Sequence, residues 1–583
     1  MMAAPQGRPR LMTSTAIPFP SRWQMPLLLA LIVLALAAGL GLREPMPADE
    51  PRFVLMARTM LETGEWLFPR RGIELYAEKP PVFLWLQAAS YRLVGDWRVS
   101  FLLPSLLAAL ASLWLAGDLA RRLWGRRAML YAVFGLFVCL QFGLQAKRAQ
   151  IDMVLVAMTT LSLWALLRYL LERPDWRLLL LGGFAAGLGT VTKGVGFLPL
   201  LVFLPWLWVR AKTRHSLPAP RAAHLPAIVA GFLLGAGVWL LPMLLAVMTS
   251  GDPALHAYAR ELLLKQTATR YADAWHHVKP AWYYLQTMLT LWLPGVLLAP
   301  WLLPAWWRRL RRIDPRYSLL LGWAMLVLAF FSLTPGKREV YVFPILPVLC
   351  VAAAPLLPVL LRRRRVRILL WIYIGTLAVA ALAAAAWLLA GPQEHLHALI
   401  EDRGMDTTVA LRIAVSLLLF GALALGVFVL ALWRSPKRPG PALVVVTAAL
   451  WMTFGIGLQP ALSPAASAQA LMAEVGRTIG PDAELALLGW REQHRIQAER
   501  AVGDYGYGRP GKGKWPLARD WLLADPDRRW LFLREEAAVA CLDPARRIAI
   551  GESNRRTWLL APGRAWIPGC EVPTDGLPDA DEE

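Results

Sequence analysis

Thirteen apolar runs constrain this chain more than any motif in it: 25–42, 99–118, 128–145, 152–171, 177–192, 195–209, 225–249, 285–305, 317–333, 340–361, 367–390, 409–433 and 440–459. Most reach the roughly 17 to 25 residues that carry a helix across a bilayer. Inside hydrocarbon the backbone must satisfy its own polar groups, which a helix does. The expected fold is therefore mainly α, a polytopic membrane protein with about 13 transmembrane helices. Composition agrees, since 57% hydrophobic against 17% charged residues is too apolar for a soluble globule. A formal net charge of +22 does not point to nucleic acid here, because Lys and Arg fall in short clusters between apolar runs. Membrane lipids are the partners such clusters imply.

The basic clusters alternate from one connection to the next. They comprise Arg121 and Arg122 with Arg126 and Arg127; the stretch from Arg210 to Arg221; Arg308, Arg309, Arg311 and Arg312; Arg362 to Arg365; and Arg434 to Arg438. These loops are expected to be cytoplasmic, and the N-terminus with them. An odd number of spans then puts the C-terminus on the other side. The first run follows Arg8, Arg10 and Arg22 and reads as an uncleaved anchor. The expected domains are a leader at 1–24, a membrane domain at 25–461 whose first outer loop is 43–98, and a soluble outer domain at 462–583. In the last of these, a helix-like 465–479 precedes strand-like 485–490, 530–533, 548–551 and 558–560, a small α/β pattern. Residues 506–512 match G-x-x-x-x-G-K, but Gly513 stands where a phosphate loop carries Ser or Thr, and no convincing strand precedes them. A surface loop is the expectation there. Cys541 and Cys570 share this region, and their pairing is left open.

The face opposite the basic loops holds 43–98, the short 147–151 link, 250–284, 334–339 and the C-terminal region. Residues 51–63 and 82–94 read as helices lying in the interface, separated by Glu78-Lys79-Pro80-Pro81. Charges collect on this face: Asp49, Glu50, Glu78, Lys79, Lys147, Arg148, Asp152, Lys193, Arg270 and the run Lys337-Arg338-Glu339. Most have a plain structural explanation when taken singly. Arg148 could snorkel, Asp152 could cap a helix beginning at Met153, and Lys337 could meet headgroups. Their gathering on one face, where unpaired charge is costly, favours a site. Cations there can hold a lipid-linked phosphate, and a carboxylate can accept a proton or orient a nucleophile. A sugar leaving a polyprenyl phosphate needs both, because negative charge grows on the phosphate as the glycosidic bond breaks.

Asp49-Glu50-Pro51-Arg52, Met56-Ala57-Arg58, Gly64-Glu65-Trp66, Glu78-Lys79-Pro80-Pro81 and Trp85-Leu86 resemble the first outer loop of bacterial polyprenyl-phosphate-sugar glycosyltransferases. These are the lipid A aminoarabinose transferases and, more distantly, the protein O-mannosyltransferases, all of GT-C architecture. The resemblance continues through Arg148-Ala149-Gln150-Ile151-Asp152-Met153, Thr192-Lys193-Gly194 and Pro335-Gly336-Lys337 with Tyr341, covering roughly 45–350. It implies a polyprenyl (undecaprenyl) phosphate-linked sugar as donor, a lipid, glycan or protein as acceptor, and a bacterial inner membrane location. It also implies Asp49 and Asp152 as the acidic catalytic pair. Lys79, Arg52, Arg58, Arg148, Arg270 and Lys337 would face the donor phosphate, with Glu50, Glu78, Lys193, Gln266 and Tyr341 completing the site. In the aminoarabinose branch a His joins the Glu of Glu-Lys-Pro-Pro at a metal. Here Gln266 occupies that place, and an amide is a poor zinc ligand beside imidazole. No cofactor is expected with certainty, and a divalent metal at Glu78, near His256, His276 and His277 in sequence, stays open. The competing reading from another class is a transporter or flippase of a lipid-linked sugar; a noncatalytic scaffold would leave the outer charges without a purpose.

Overall fold

The computed structural model describes residues 24–213, 217–218, 221–263, 278–390, 407–507, 514–553 and 556–571. All thirteen apolar runs fall on helical segments. Seven helices among the described residues are long and apolar enough to cross a membrane, or up to nine if each of two bent pairs counts as one span. The chain is thus a mainly helical, multi-pass membrane protein. Helix α1 (Gln24–Ala37) leads into the first link. Then come α2 (Glu50–Thr63), a hairpin of β1 (Arg70–Arg71) and β2 (Glu74–Leu75), and α3 (Val82–Val94). The ends of α2 follow from sequence. Pro51 needs no N–H partner in the first turn, and Gly64 takes the left-handed conformation that stops the helix, at φ 76°. Phe53, Val54, Met56 and Met60 are buried on it, while Glu62 and Thr63 are not.

The membrane helices continue with α4 (Leu103–Trp124), α5 (Arg126–Phe137) and α6 (Leu140–Ala146), the last two bent by 71°. Next are α7 (Ile151–Leu171), α8 (Trp176–Lys193) and α9 (Leu225–Thr249). Glycines let α8 and α9 approach closely: a Cβ on Gly183 would lie 2.2 Å from the Ile228 carbonyl oxygen, and one on Gly235 would lie 2.2 Å from that of Phe184. Small residues four apart on facing helices are a usual device for packing backbones inside a membrane. The run at 285–305 is not one helix. It divides into α10 (Tyr283–Leu291) and α11 (Ala299–Arg311), bent by 102°, with Pro294 in the break, where no N–H is available. Helices α12 (Pro315–Leu333), α13 (Ile345–Ala353), α14 (Arg364–Ala390), α15 (Thr407–Arg434) and α16 (Pro439–Thr453) complete the bundle.

After Ala468, which sits at φ 60°, the chain forms α17 (Gln469–Ile479), β3 (Glu484–Leu488), α18 (Glu492–Gln497), β4 (Val502–Asp504), α19 (Lys514–Ala524), β5 (Arg529–Arg534), β6 (Ile548–Ser553) and β7 (Arg556–Pro562). The sheet order is β4-β3-β5-β7-β6, with β3 parallel to both β4 and β5, and β7 antiparallel to β5 and β6. One face packs on Trp515 and Leu522, the other on Leu471, Val475 and Leu55 of α2. The sheet is therefore seated on the first link. The helix expected at 465–479 begins only at Gln469, since the residues before it continue the last apolar segment as Gln459–Ala466. A strand, β4, does precede Gly506, contrary to expectation; it is three residues long, too short to show period-two alternation. The rest of the G-x-x-x-x-G-K stretch, 508–513, lies outside the described residues. Cys541 and Cys570 form a disulfide, their Cα atoms 5.5 Å apart.

Candidate functional site

Asp49 immediately precedes α2, and its carboxylate makes no cap bond to that helix. It serves three other groups instead. Gln150 Nε2 donates to Oδ2 at 3.0 Å, the Arg338 guanidinium to the same oxygen at 3.4 Å, and Arg52 lies 3.9 Å from Oδ1. Burial works against charge on Arg338, but Asp49, Asp152 and Glu339 outweigh it and raise its pKa. Asp152 sits in the first turn of α7, where the helix dipole favours an anion. It does not cap a helix starting at Met153, because α7 starts at Ile151; its partner is Lys193, in the last turn of α8. Lys193 Nζ also lies 5.2 Å from the centre of the Tyr341 ring. Three links distant in sequence, 49–52, 147–152 and 334–341, thereby meet.

Glu50, adjacent to Asp49, has a different environment. It is buried and chelated by Arg43, at 2.5 Å and 2.7 Å, and accepts from the Met46 and Ala149 amides. Arg43 also donates to the Lys147 carbonyl at 3.0 Å and lies over the Phe101 ring. Glu50 is consequently a clamp between the first link and the 147–149 turn, with both carboxylate oxygens engaged. Lys147 is a second structural group. Its ammonium donates to the Ala38 and Leu36 carbonyls at the end of α1. Burial, helped by Arg43, brings its pKa down to about 7.

A second group joins the first link to the sheet. Arg52 Nε donates to Glu492 of α18 at 3.1 Å, and the Tyr76 hydroxyl donates to Glu78 at 3.1 Å. Burial opposes charge on Arg52, while Tyr76, Glu492 and Glu78 favour it and raise its pKa. Lys79 Nζ donates to the Glu78 carbonyl at 3.0 Å. Arg58 is not among the Asp49 group: it reaches the Ile496 carbonyl at 3.4 Å and Glu62 at 3.7 Å. Lys337 is also elsewhere, buried and donating to the Lys279 carbonyl at 3.1 Å and the Thr334 carbonyl at 2.5 Å. Its neighbour Arg338 is the residue that meets Asp49. Arg148 is half-buried and makes no side-chain hydrogen bond or ion pair among the described residues. Arg270, Gln266, His276 and His277 lie outside the described residues. Among the described residues no three His, Cys, Asp or Glu side chains gather to hold a metal, His256 is exposed, and Glu78 has a phenol for its neighbour.

Residues 78–240 match the dolichyl-phosphate-mannose-protein mannosyltransferase family model, and residues 272–410 match the Alg9-like mannosyltransferase family. An undecaprenyl phosphate-alpha-4-amino-4-deoxy-L-arabinose arabinosyl transferase of Aeromonas salmonicida is 30% identical over 419 residues, 70% of this chain and 71% of that protein. The chain belongs to this arabinosyl transferase family. A Pseudomonas fluorescens member is 33% identical over 338 residues, 56% of this chain and 58% of its own length. The chain thus matches less than two thirds of such relatives. ArnT from Cupriavidus metallidurans, solved with undecaprenyl phosphate bound, superposes with a TM-score of 0.72 at 19% identity, covering 93% of this chain and 98% of that one. That likeness establishes a shared fold. Arg43 beside Glu50, and Gln150 and Arg338 beside Asp49, are contacts the sequence did not single out as site residues. A signal for Arg338 existed in its adjacency to Lys337; none marked Gln150 as a partner of Asp49.

Proposed function

We propose that the chain transfers a sugar from undecaprenyl phosphate to an acceptor on the periplasmic side of the bacterial inner membrane, with inversion at the anomeric carbon. The observation that carries this reading is the alternation of acid and base in one cluster: Asp49 against Arg338 and Gln150, then Asp152 against Lys193. In this reading the acceptor oxygen attacks the anomeric carbon opposite the phosphate. The bond from that carbon to the phosphate oxygen breaks, and undecaprenyl phosphate leaves with the electron pair. A hydroxyl acceptor gives its proton to Asp49; a phosphate acceptor has none to give. Arg52, Lys79, Arg148 and Arg270 stabilise the leaving phosphate, and Asp152 with Lys193 and Tyr341 positions the reacting groups. Arg58 and Lys337 are assigned to structure rather than to the donor.

The sugar named for the relatives, 4-amino-4-deoxy-L-arabinose, is the first donor to try, and lipid A, which the family resemblance suggests, is the first acceptor. Thirteen crossings, a cytoplasmic N-terminus and a periplasmic sheet domain at 462–583 complete the reading, supported by the alternation of basic links. Purified protein in detergent, given a panel of radiolabelled undecaprenyl-phosphate sugars and an acceptor lipid extract, tests it. Label moving from one donor to a new product is the expected result. Carriage of intact lipid-linked sugar across a liposome bilayer, with no donor consumed, would instead establish the transporter.

A further inference from the structure

The bundle contains a cavity of about 1480 Å³ that plays no part in the site above. Its walls are apolar, with Leu298, Leu302, Leu349 and Ala353 among them. Its mouth is not: Arg362, Arg367, Arg434, Lys437 and Arg438 line it, and among the described residues the lining includes no carboxylate. These five lie in the link before α14 (Arg362), in the first turn of α14 (Arg367), at the end of α15 (Arg434) and in the link to α16 (Lys437, Arg438), so they share one end of the bundle. That end is opposite Asp49, because α16 starts at the mouth and runs toward the sheet domain.

We propose that this cavity binds an anionic glycerophospholipid, its acyl chains among the leucines and its phosphate among the five cations. The rule that basic residues flank spans accounts for their presence near helix ends. It does not account for five of them gathered around one apolar opening whose described lining carries no carboxylate. Acyl chains laid along leucines between membrane helices would gain close dispersion contacts over this whole surface. Basic pockets between helices at the cytoplasmic face are the usual recognition device for lipids such as cardiolipin. Charge complementarity favours that occupant over a polyprenyl chain entering from the Asp49 end, which would make no use of the basic mouth.

Native mass spectrometry of the delipidated full chain in neutral detergent tests the proposal, with cardiolipin, phosphatidylethanolamine and undecaprenyl phosphate as competing probes. Wild type should retain cardiolipin at least tenfold better than phosphatidylethanolamine. Replacing the exposed Arg434, Lys437 and Arg438 together by Gln should erase that preference, and Leu349→Trp, which fills the interior, should remove binding with the mouth intact. Equal retention of both phospholipids would overturn the proposal. So would cardiolipin binding indifferent to the mouth charges, or undecaprenyl phosphate displacing cardiolipin regardless of them.

Discussion

Asp49 and Glu50 are neighbours in sequence with the same chemistry, yet Glu50 is locked by Arg43 and two amides while Asp49 meets groups from two distant links. Removing one partner of a buried pair leaves an uncompensated charge, which costs about 3 to 5 kcal/mol. Arg43→Ala should therefore lower the thermal midpoint sharply, and Arg43→Met with Glu50→Leu should recover part of the loss, as a melting series in detergent would show. Arg338→Ala removes a charge-assisted contact to Asp49, so transfer should fall about tenfold or more with the fold intact. Lys337→Ala strands two carbonyls and should act on stability first; comparing melting and turnover for the two variants separates these effects. The acidic residues of the candidate site, Asp49 and Asp152, stood out in sequence because charge beside an apolar run is conspicuous. The choice between Lys337 and Arg338 was not, because adjacent residues of a tight link point different ways.

Helices with clear punctuation were legible to within a residue. Val82–Val94 follows Pro80-Pro81 and ends before Gly95 at φ 76°, and Gly64 does the same for α2. Elements whose shape comes from packing were not: the bends in 128–145 and 285–305, and the three-residue β4, leave no periodic trace. The hairpin between β1 and β2 shows why its turn needs glycine. A Cβ on Gly72 would fall 2.2 Å from an Asp504 oxygen and 2.9 Å from Trp490, and its φ is 70°. Gly64 has a similar φ, 76°, but nothing within 4 Å. Gly64→Ala should cost only the backbone strain, about 1 kcal/mol. Gly72→Ala should in addition loosen the sheet from the first link, read as faster proteolysis of the C-terminal sheet region. Within that domain, His494 of α18 is buried between Phe532 and Trp558, and burial, with Arg534 and Arg491, holds its pKa down to about 3. An unfolded His binds its proton near pH 6.5, so the unfolded state takes up the extra proton between about 6.5 and 3. Stability should fall as pH drops through that window. Melting curves of His494→Phe should show a shallower fall than wild type.

At the scale of the whole molecule, the multi-pass class followed from the apolar runs alone, and the family resemblance from motifs in the links joining them. The cavity could not be anticipated, since it arises where two bent pairs meet and no sequence pattern records a space. The arrangement of the links gives the account its central claim, that Asp49 acts on the acceptor while the cations around it hold the donor. The most direct test is Asp49→Asn, with turnover and donor affinity measured on the same purified preparation. An amide keeps the shape and one acceptor oxygen for Gln150 and Arg338 but loses the charge and cannot take the proton, so transfer to a hydroxyl acceptor should fall by about 10² or more with donor affinity nearly unchanged. Unchanged turnover, or a loss of donor binding as large as the loss of transfer, would contradict the role assigned to Asp49.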